Sequence, residues 1–240
     1  MPPLRAHLAV FRSAKTGIRE QERIVVRQSA EVIVIAIRVP CSIAFGRETV
    51  LITGANMAGK SVLLQSVALA QYLFQFGFFL PAESAQLPVM DEVITSIGDR
   101  QSALSGLSSF AVEVLTIDRI IKNAREGKRV LALVDELART TNPDEGKRMV
   151  NGFIRICRKL NLTAIVTTHY GGLDVSCKRL RVKGLQIPEG VDSLSIGHIA
   201  DYMDYSLVET RDDDVPKEAF TIARLLRVDE AFLNECESTL

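Results

Sequence analysis

The segment from Gly54 to Ser61 limits most strongly what this chain can fold into. It reads Gly-Ala-Asn-Met-Ala-Gly-Lys-Ser and fits the pattern G-x-x-x-x-G-K-[ST], with a β-branched run before it and a long apolar run after it. In a strand-to-helix turn of this kind, backbone N–H groups point at one anion, and the helix directs its positive dipole end at the same anion. The segment therefore predicts a phosphate-binding loop in an α/β fold.

The side chains of this loop predict its ligands, ATP and Mg²⁺. Lys60 would neutralise the β- and γ-phosphates, and the Ser61 hydroxyl would bind the metal ion. The residues expected to contact the nucleotide are Gly54, Ala55, Asn56, Met57, Ala58, Gly59, Lys60 and Ser61. The alternative is a chance match at an ordinary strand-to-helix turn, which a second motif further along the chain argues against.

That second motif runs from Val130 to Glu136 and is an apolar strand that ends in two carboxylates. Parallel α/β sheets place ligand chemistry at such strand ends. Asp135 would hold Mg²⁺, directly or through water, and Glu136 would orient or deprotonate the water that attacks the γ-phosphate. Alone the pair is a weak signal, because acidic residues often cap the next helix. Together with the loop, it indicates an ATP-hydrolysing site.

A histidine, His169, follows the next strand-like run. A single histidine is more often structural than functional, and His7 and His198 have no context that suggests a role. At a strand end beside a nucleotide site, however, an imidazole can hydrogen-bond the γ-phosphate. We therefore expect His169 to contact that phosphate.

Strand-like and helix-like runs alternate along the chain, as in a parallel sheet with crossover helices. The predicted strands are residues 31–38, 49–53, 129–134, 162–167 and 205–210, and the predicted helices are residues 61–76, 109–125, 145–160, 217–226 and 229–238. We expect one α/β domain over residues 41–240, with a mostly parallel sheet flanked by helices. Residues 1–40 are left unassigned.

The charge of the chain bears on its partners. Its 29 basic and 29 acidic residues cancel, so the chain is not expected to bind DNA by itself, because affinity for a phosphate backbone needs uncompensated Lys and Arg. The balance is uneven, since residues 201–240 hold 11 acidic and only 4 basic residues. The surplus of basic residues therefore lies in residues 1–200, which contain the phosphate-binding motifs.

The remaining composition predicts a cytoplasmic chain without a membrane span. Four cysteines with no CxxC pair indicate a reducing compartment. Residues 61–82 are uncharged, but polar residues, a glycine and a proline interrupt them, so they predict a buried helix instead. We expect the apolar stripe from Val62 to Phe74 to lie in the core, and the nearby Phe76, Phe78 and Phe79 as well, with a partner-facing patch as the alternative for these three. The basic run of Lys178, Arg179, Arg181 and Lys183 predicts a solvated face, with contact to a nucleic-acid phosphate as the alternative.

Several spaced motifs occur in a fixed order. They are residues 53–61, 80–85, 97–98, 106–113, 134–141 with Gly146, and 168–170. In this order they resemble the MutS family of mismatch-repair ATPases, which belongs to the ABC-type branch of P-loop proteins. The resemblance covers about residues 45–230 and implies the P-loop ATPase fold.

The resemblance also implies a dimer. Gly106, Ser108 and Ser109 match the signature segment, which in the family reaches across a dimer to the nucleotide of the other subunit. Ser108 is therefore an expected nucleotide contact in trans, and the expected partner is a second copy or a related ATPase chain. Lys60, Glu136 and His169 match the catalytic positions of the family, and Ser61 and Asp135 match the metal-binding ones.

Departures from the family pattern bear on turnover. Ala55 and Ala58 stand where the family usually has Pro and Gly, and Ala138 and Thr140 stand where it has two glycines. Added methyl groups stiffen such loops. We therefore expect ATP binding, and hydrolysis that is slow or stimulated by a partner.

Two functions fit these observations. The first is a DNA mismatch repair motor without its own recognition domains, because 240 residues cannot hold them; DNA would then be reached only through other domains or chains. The alternative is an ATP-driven reactivating chaperone for an enzyme client such as an adenosylcobalamin-dependent aminomutase, since short MutS-like proteins occur beside such enzymes. A third reading, a nucleotide-binding scaffold, would follow if Glu136 proved dispensable.

Overall fold

The computed structural model describes residues 24–27, 41–55, 58–80, 82, 84–98, 109–188, 194, 196–210 and 218–238. Its strands are β1 (Ile24–Arg27), β2 (Ser42–Phe45), β3 (Thr49–Thr53), β4 (Ser84–Gln86), β5 (Glu92–Ser96), β6 (Val130–Val134), β7 (Thr163–Thr168), β8 (Lys178–Leu185) and β9 (Met203–Glu209). Its helices are α1 (Lys60–Gln75), α2 (Ser109–Arg125), α3 (Pro143–Lys159), α4 (Ala219–Leu225) and α5 (Glu230–Ser238), with a 3-10 helix at Ile196–Tyr202.

A six-stranded sheet forms the centre of the fold, in the order β5-β6-β7-β3-β8-β9. Its strands run parallel except β9, which pairs antiparallel with β8. A separate antiparallel sheet has the order β2-β1-β4. Because β6, β7 and β3 are parallel neighbours, their carboxyl ends meet at one edge, where a ligand site is expected. The α/β class with a mostly parallel sheet flanked by helices is confirmed.

The strands β3, β6 and β7 are buried along their whole length, because helices cover both faces of the sheet. Ile52 of β3 belongs to one apolar cluster with Leu64 of α1. The adjacent Leu51 points to the opposite face and belongs to a second cluster with Ile154 of α3. This double covering explains why these strands are continuous apolar runs in the sequence.

The start of α3 illustrates how local sequence sets an element boundary. The Asn142 side chain accepts a hydrogen bond from the Asp144 N–H at 2.9 Å, and Pro143 occupies the first turn, where a missing N–H costs nothing. Acidic residues in the first turn and basic residues in the last turn complement the helix dipole.

The elements predicted over the described residues have their counterparts in the structure, with boundaries shifted by a few residues. The strand predicted at residues 31–38 lies outside the described residues. β1 supplies a strand from the segment before residue 41, and the domain division at that residue stays a prediction. Among the described residues, every helix is too short or too polar to cross a bilayer.

One prediction about side-chain environment holds in part and another was wrong. The basic run belongs to β8, in which Leu180 and Val182 are buried on the core side, while the basic residues between them are half-buried or, for Lys183, exposed. The three phenylalanines after α1 do not lie in the core; Phe76, Phe78 and Phe79 are 75%, 65% and 86% exposed. They follow the end of the helix, and within the part of the chain that the structure describes no second layer covers them. Within the stripe on α1, Val62 and Tyr72 are exposed as well.

Candidate functional site

The loop between β3 and α1 is shaped by a glycine directly before the helix. Gly59 has φ 73°, a left-handed conformation that residues with a Cβ rarely adopt. A Cβ atom at this position would also lie 3.0 Å from Cδ1 of Tyr205. Gly59 therefore lets the chain turn sharply into α1, which begins at Lys60.

The Lys60 side chain points back into this loop. Its Nζ donates to the carbonyl oxygens of Gly54 and Ala55, at 2.9 Å each, and lies 3.4 Å from Oε1 of Glu136. Lys60 is only 5% exposed. A buried ammonium group needs such partners, so its positive charge is held at the loop between β3 and α1.

Asp135 lies directly after β6 and connects three elements. Its Oδ2 accepts a hydrogen bond from the Ser61 hydroxyl of α1 at 2.5 Å, and its Oδ1 accepts one from the Thr167 hydroxyl of β7 at 2.5 Å. The Asp135 N–H donates to the Ser96 carbonyl at the end of β5 at 2.8 Å. The carboxylate is thereby fixed next to the start of α1.

Glu136 lies among three cationic or titratable side chains. Besides Lys60, Nη1 of Arg139 lies 3.7 Å and Nδ1 of His169 lies 4.0 Å from its Oε2. Its own N–H donates to both the carbonyl and the hydroxyl of Thr167, at 3.1 Å each. The predicted site residues Lys60 and His169 thus both lie within contact distance of the Glu136 carboxylate.

A cavity of about 520 Å³ opens beside these groups, a size typical of small-molecule sites. Lys60, Ser61, Asp135 and Glu136 line it together with residues from the end of β5 and the first turns of α2. Its lining residues are Ala58, Gly59, Lys60, Ser61, Val62, Thr95, Ser96, Ile97, Gly98, Ser109, Val112, Glu113, Thr116, Asp135, Glu136, Arg139 and Thr140.

The cavity is lined by oxygen atoms that can act as ligands of a hard cation. The Ser61 hydroxyl and the Asp135 carboxylate are already in contact, and both are ligand types that Mg²⁺ accepts. Within the part of the chain that the structure describes, no three His, Cys, Asp or Glu side chains converge as a metal site. A Mg²⁺ ion would therefore need further oxygen ligands from phosphate and water, as is usual for this ion.

The predicted site residues divide into two groups. The structure places Gly54, Ala55, Ala58, Gly59, Lys60, Ser61, Asp135, Glu136 and His169 together at the carboxyl edge of the sheet. Asn56, Met57 and Ser108 lie outside the described residues, and their roles stay predictions. Ser109, which follows Ser108, lines the cavity of its own chain.

A comparison with protein families supports the motif-based resemblance. The model of MutS domain V matches residues 50–192, which is more than half of the chain. The chain belongs to the MutS family. The matched range includes His169 and all the residues that line the cavity, whereas Tyr205 lies beyond it.

Individual MutS relatives match a similar part of the chain. The "Endonuclease MutS2" of Caldicellulosiruptor saccharolyticus is 36% identical over 140 residues, 57% of this chain and 18% of the relative. The "DNA mismatch repair protein MutS" of Bacillus pumilus is 37% identical over 136 residues, 56% of this chain and 16% of the relative. The "Endonuclease MutS2" of Staphylococcus aureus is 37% identical over 150 residues, which is 62% of this chain and 19% of the relative. The matches thus span less than a fifth of the length of these relatives.

Three residues of this MutS site were not predicted from the sequence as site residues. Thr167 bonds both acidic residues, while Glu113 and Tyr170 contact the turn that follows them. Thr167 ends a strand that was predicted to reach the same sheet edge as Asp135, and this placement is a signal that could have identified it. Glu113 and Tyr170 lie inside the motif spans 106–113 and 168–170, but their contacts with Ala138 depend on how α2 and the end of β7 pack beside the turn after β6, which spacing alone does not reveal.

Proposed function

We propose that this MutS-family chain is a P-loop ATPase of the ABC type that binds ATP with Mg²⁺ and hydrolyses it to ADP and phosphate. The observation that carries the proposal is the convergence of Lys60, Ser61, Asp135 and Glu136 on one cavity at the carboxyl edge of a parallel sheet. A lysine at a helix start, a hydroxyl paired with a carboxylate, and a second carboxylate are the groups that phosphoryl transfer to water requires.

Each group has a role in binding. The N-terminus of α1 and the backbone N–H groups of the preceding loop would hold the phosphates, and Lys60 would bind the β- and γ-phosphate oxygens. Ser61 and Asp135 would hold Mg²⁺, which neutralises phosphate charge when bound. Lys60 already lies beside both the loop carbonyls and Glu136, so its charge is available at the γ-phosphate end of the site.

Glu136 would act as the general base. It accepts a proton from the water whose oxygen attacks the γ-phosphorus, while the bond from that phosphorus to the bridging oxygen of ADP breaks. His169, whose Nδ1 lies 4.0 Å from Glu136, would donate a hydrogen bond to a γ-phosphate oxygen. Thr167 holds the backbone N–H of Glu136 and the Asp135 carboxylate, so metal ligand and base are fixed relative to each other.

The biological role we propose is that of an ATP-driven motor module of the DNA mismatch repair type. Support comes from relatives whose names are "DNA mismatch repair protein MutS" and "Endonuclease MutS2". Because the matches span less than a fifth of those relatives, DNA contact is assigned to other domains or chains. A second copy or a related chain would complete the site through Ser108.

Nucleotide binding to the full chain tests the proposal. We expect Lys60→Ala to weaken ATP binding by about 10- to 100-fold, the value of a lost charge-assisted hydrogen bond, in equilibrium titrations with fluorescent ATP and Mg²⁺. The matched control is Lys159→Ala, which removes an exposed lysine at the last turn of α3 and should bind like the wild type. Equal ATP affinity in Lys60→Ala and the wild type would contradict the proposal.

A further inference from the structure

The turn that follows Asp135 bends back through two non-glycine residues with left-handed backbone. Glu136 has φ 48° and Ala138 has φ 62°. A Cβ atom makes this conformation unfavourable, so surrounding contacts must hold it. The conformation of this turn in part determines where the Glu136 carboxylate lies.

Two side chains from different elements hold the backbone of Ala138. Oε1 of Glu113, on α2, accepts a hydrogen bond from the Ala138 N–H at 3.2 Å. The Tyr170 hydroxyl donates to the Ala138 carbonyl at 2.9 Å. Ala138 is fully buried, so water cannot replace these partners. These side chains bond both backbone polar groups of a residue in an unfavourable conformation, and the Ala138 carbonyl accepts a second, longer hydrogen bond from the Thr141 N–H at 3.3 Å.

Tyr170 is itself held in one place. Its N–H donates to the Thr168 hydroxyl at 3.0 Å, and its own hydroxyl lies so close to Gly146 of α3 that a Cβ there would collide with it. Burial raises the pKa of the Tyr170 phenol, and the charges of Glu113 and Glu136 raise it further. The phenol therefore keeps its proton at neutral pH and can donate to Ala138.

We propose that Glu113 and Tyr170 are positioning residues, which hold Ala138 in its left-handed conformation and thereby fix Glu136 beside Lys60 and His169. The inference rests on the proposed ATPase function, in which Glu136 is the base. Glu113 also lines the cavity, one turn after α2 begins at Ser109. Its contact links the start of α2 to the turn that carries the base.

The chemistry of Glu113 favours this role over simple packing. A half-buried carboxylate loses hydration and needs polar partners, so it is a poor choice for filling space. Glu113 supplies an oxygen acceptor for one buried N–H. A glutamine has the same acceptor without the charge, whereas an alanine has neither.

Three substitutions separate these contributions. Glu113→Ala removes the acceptor, Glu113→Gln keeps it, and Tyr170→Phe removes only the hydroxyl. We expect kcat for ATP hydrolysis to fall at least about tenfold in Glu113→Ala and Tyr170→Phe, because a misplaced base lowers the rate, while the Kd for ATP changes less than about twofold. Glu113→Gln should retain about half of the wild-type kcat or more. Asp118→Ala, which removes an exposed carboxylate from the same helix, is the matched control and should leave kcat unchanged.

A compensating change tests the backbone mechanism directly. Glycine adopts the left-handed conformation without a steric penalty. The double variant Glu113→Ala/Ala138→Gly should therefore have a kcat several-fold higher than that of Glu113→Ala. Thermal unfolding of every variant shows whether the fold is intact. Should Glu113→Ala fail to fold, Tyr170→Phe and Glu113→Gln carry the test.

The outcomes are distinguishable. Turnover of Glu113→Gln as slow as that of Glu113→Ala, a parallel loss of kcat and ATP affinity, or normal kcat with lowered thermal stability would each overturn the positioning role. If the wild type hydrolyses ATP while Glu113→Ala and Tyr170→Phe do so equally fast, only this inference fails. If the wild type does not hydrolyse ATP at all, the proposed function fails and this inference with it.

Discussion

Thr167 shows how one hydroxyl can join two functional groups. Its oxygen donates to the Asp135 carboxylate at 2.5 Å and accepts from the Glu136 N–H at 3.1 Å. Thr167 is fully buried, so neither contact competes with water. Thr167 therefore fixes the carboxylate that we propose as a Mg²⁺ ligand and the residue that we propose as the base relative to each other.

Replacing this hydroxyl with a methyl group tests its role. Thr167→Val keeps the shape of the side chain but frees one oxygen of Asp135 and removes one of the two acceptors of the Glu136 N–H, which keeps its hydrogen bond to the backbone carbonyl of residue 167. We expect kcat to fall about tenfold and the Mg²⁺ concentration for half-maximal activity to rise several-fold, because removing partners of ligating or catalytic groups typically costs this much. Phosphate release measured over a Mg²⁺ titration reports both quantities.

Thr49→Val is the matched control for that substitution. Thr49 is a buried threonine on the neighbouring β3, and its hydroxyl oxygen has no hydrogen-bond partner among the described residues. Its replacement should leave activity unchanged and leave stability equal or slightly higher, since an unpaired buried hydroxyl is unfavourable. An unaltered Mg²⁺ profile in Thr167→Val would show that the hydroxyl does not position the metal ligand.

The central strands and the long helices could be predicted from the sequence because their patterns are local. β3, β6 and β7 are continuous apolar runs, since helices cover both faces, and α1 follows a loop pattern that fixes its start. The phosphate-loop lysine and the acidic pair could be predicted for the same reason. Their mutual contacts could not, because these depend on β6 and β7 being neighbours in the sheet.

β8 shows what a local pattern misses. Its basic residues predicted a solvated face, but charge did not reveal that Leu180 and Val182 between them face the core. Nor did it reveal that the half-buried Arg179 donates from its guanidinium to the carbonyls of Leu173 and Val175 and so holds the preceding loop. Long basic side chains can cover a sheet in this way, and charge alone does not reveal it.

The packing of α3 against the sheet gives a stability prediction. Ile154 is fully buried in the apolar cluster that contains Leu51. We expect Ile154→Ala to lower the free energy of unfolding by about 2 to 4 kcal/mol through lost burial and a residual cavity, as measured by urea denaturation. The control is Arg155→Ala on the exposed side of α3, whose ion pair with Asp174 should contribute less than about 1 kcal/mol. Similar losses of unfolding free energy in Ile154→Ala and Arg155→Ala would contradict this packing.

The chain as a whole corresponds to a small part of its relatives. Its matches cover only 16 to 19% of the relatives that carry DNA-related names. Its charges also cancel overall, which gives little general attraction to DNA. The charge balance supports our proposal that the chain reaches its client through other domains or chains. DNA held by other domains or chains is the client we propose, and an enzyme client remains the alternative hypothesis.

A nucleotide-dependent dimer is the expected partner state. If Ser108 completes the site of a second chain, ATP should strengthen self-association when it is bound but not hydrolysed. We expect Glu136→Gln to self-associate at least about tenfold more tightly with ATP and Mg²⁺ than without nucleotide, because nucleotide and partner binding are then thermodynamically linked. Sedimentation equilibrium measures this, with Ser108→Arg as the variant that should stay monomeric. Identical sedimentation with and without ATP would contradict a homodimer.

The measurement that tests the central claim most directly is phosphate release from saturating ATP and Mg²⁺ by the wild type and Glu136→Gln. Glutamine keeps the shape of Glu136 but cannot take the proton from the attacking water. We predict release at least about 100-fold slower in Glu136→Gln with ATP binding retained, as expected for loss of a general base. The control Glu126→Gln, an exposed residue after α2, should match the wild type. Equal phosphate release by Glu136→Gln and the wild type would contradict the assignment of Glu136 as the base.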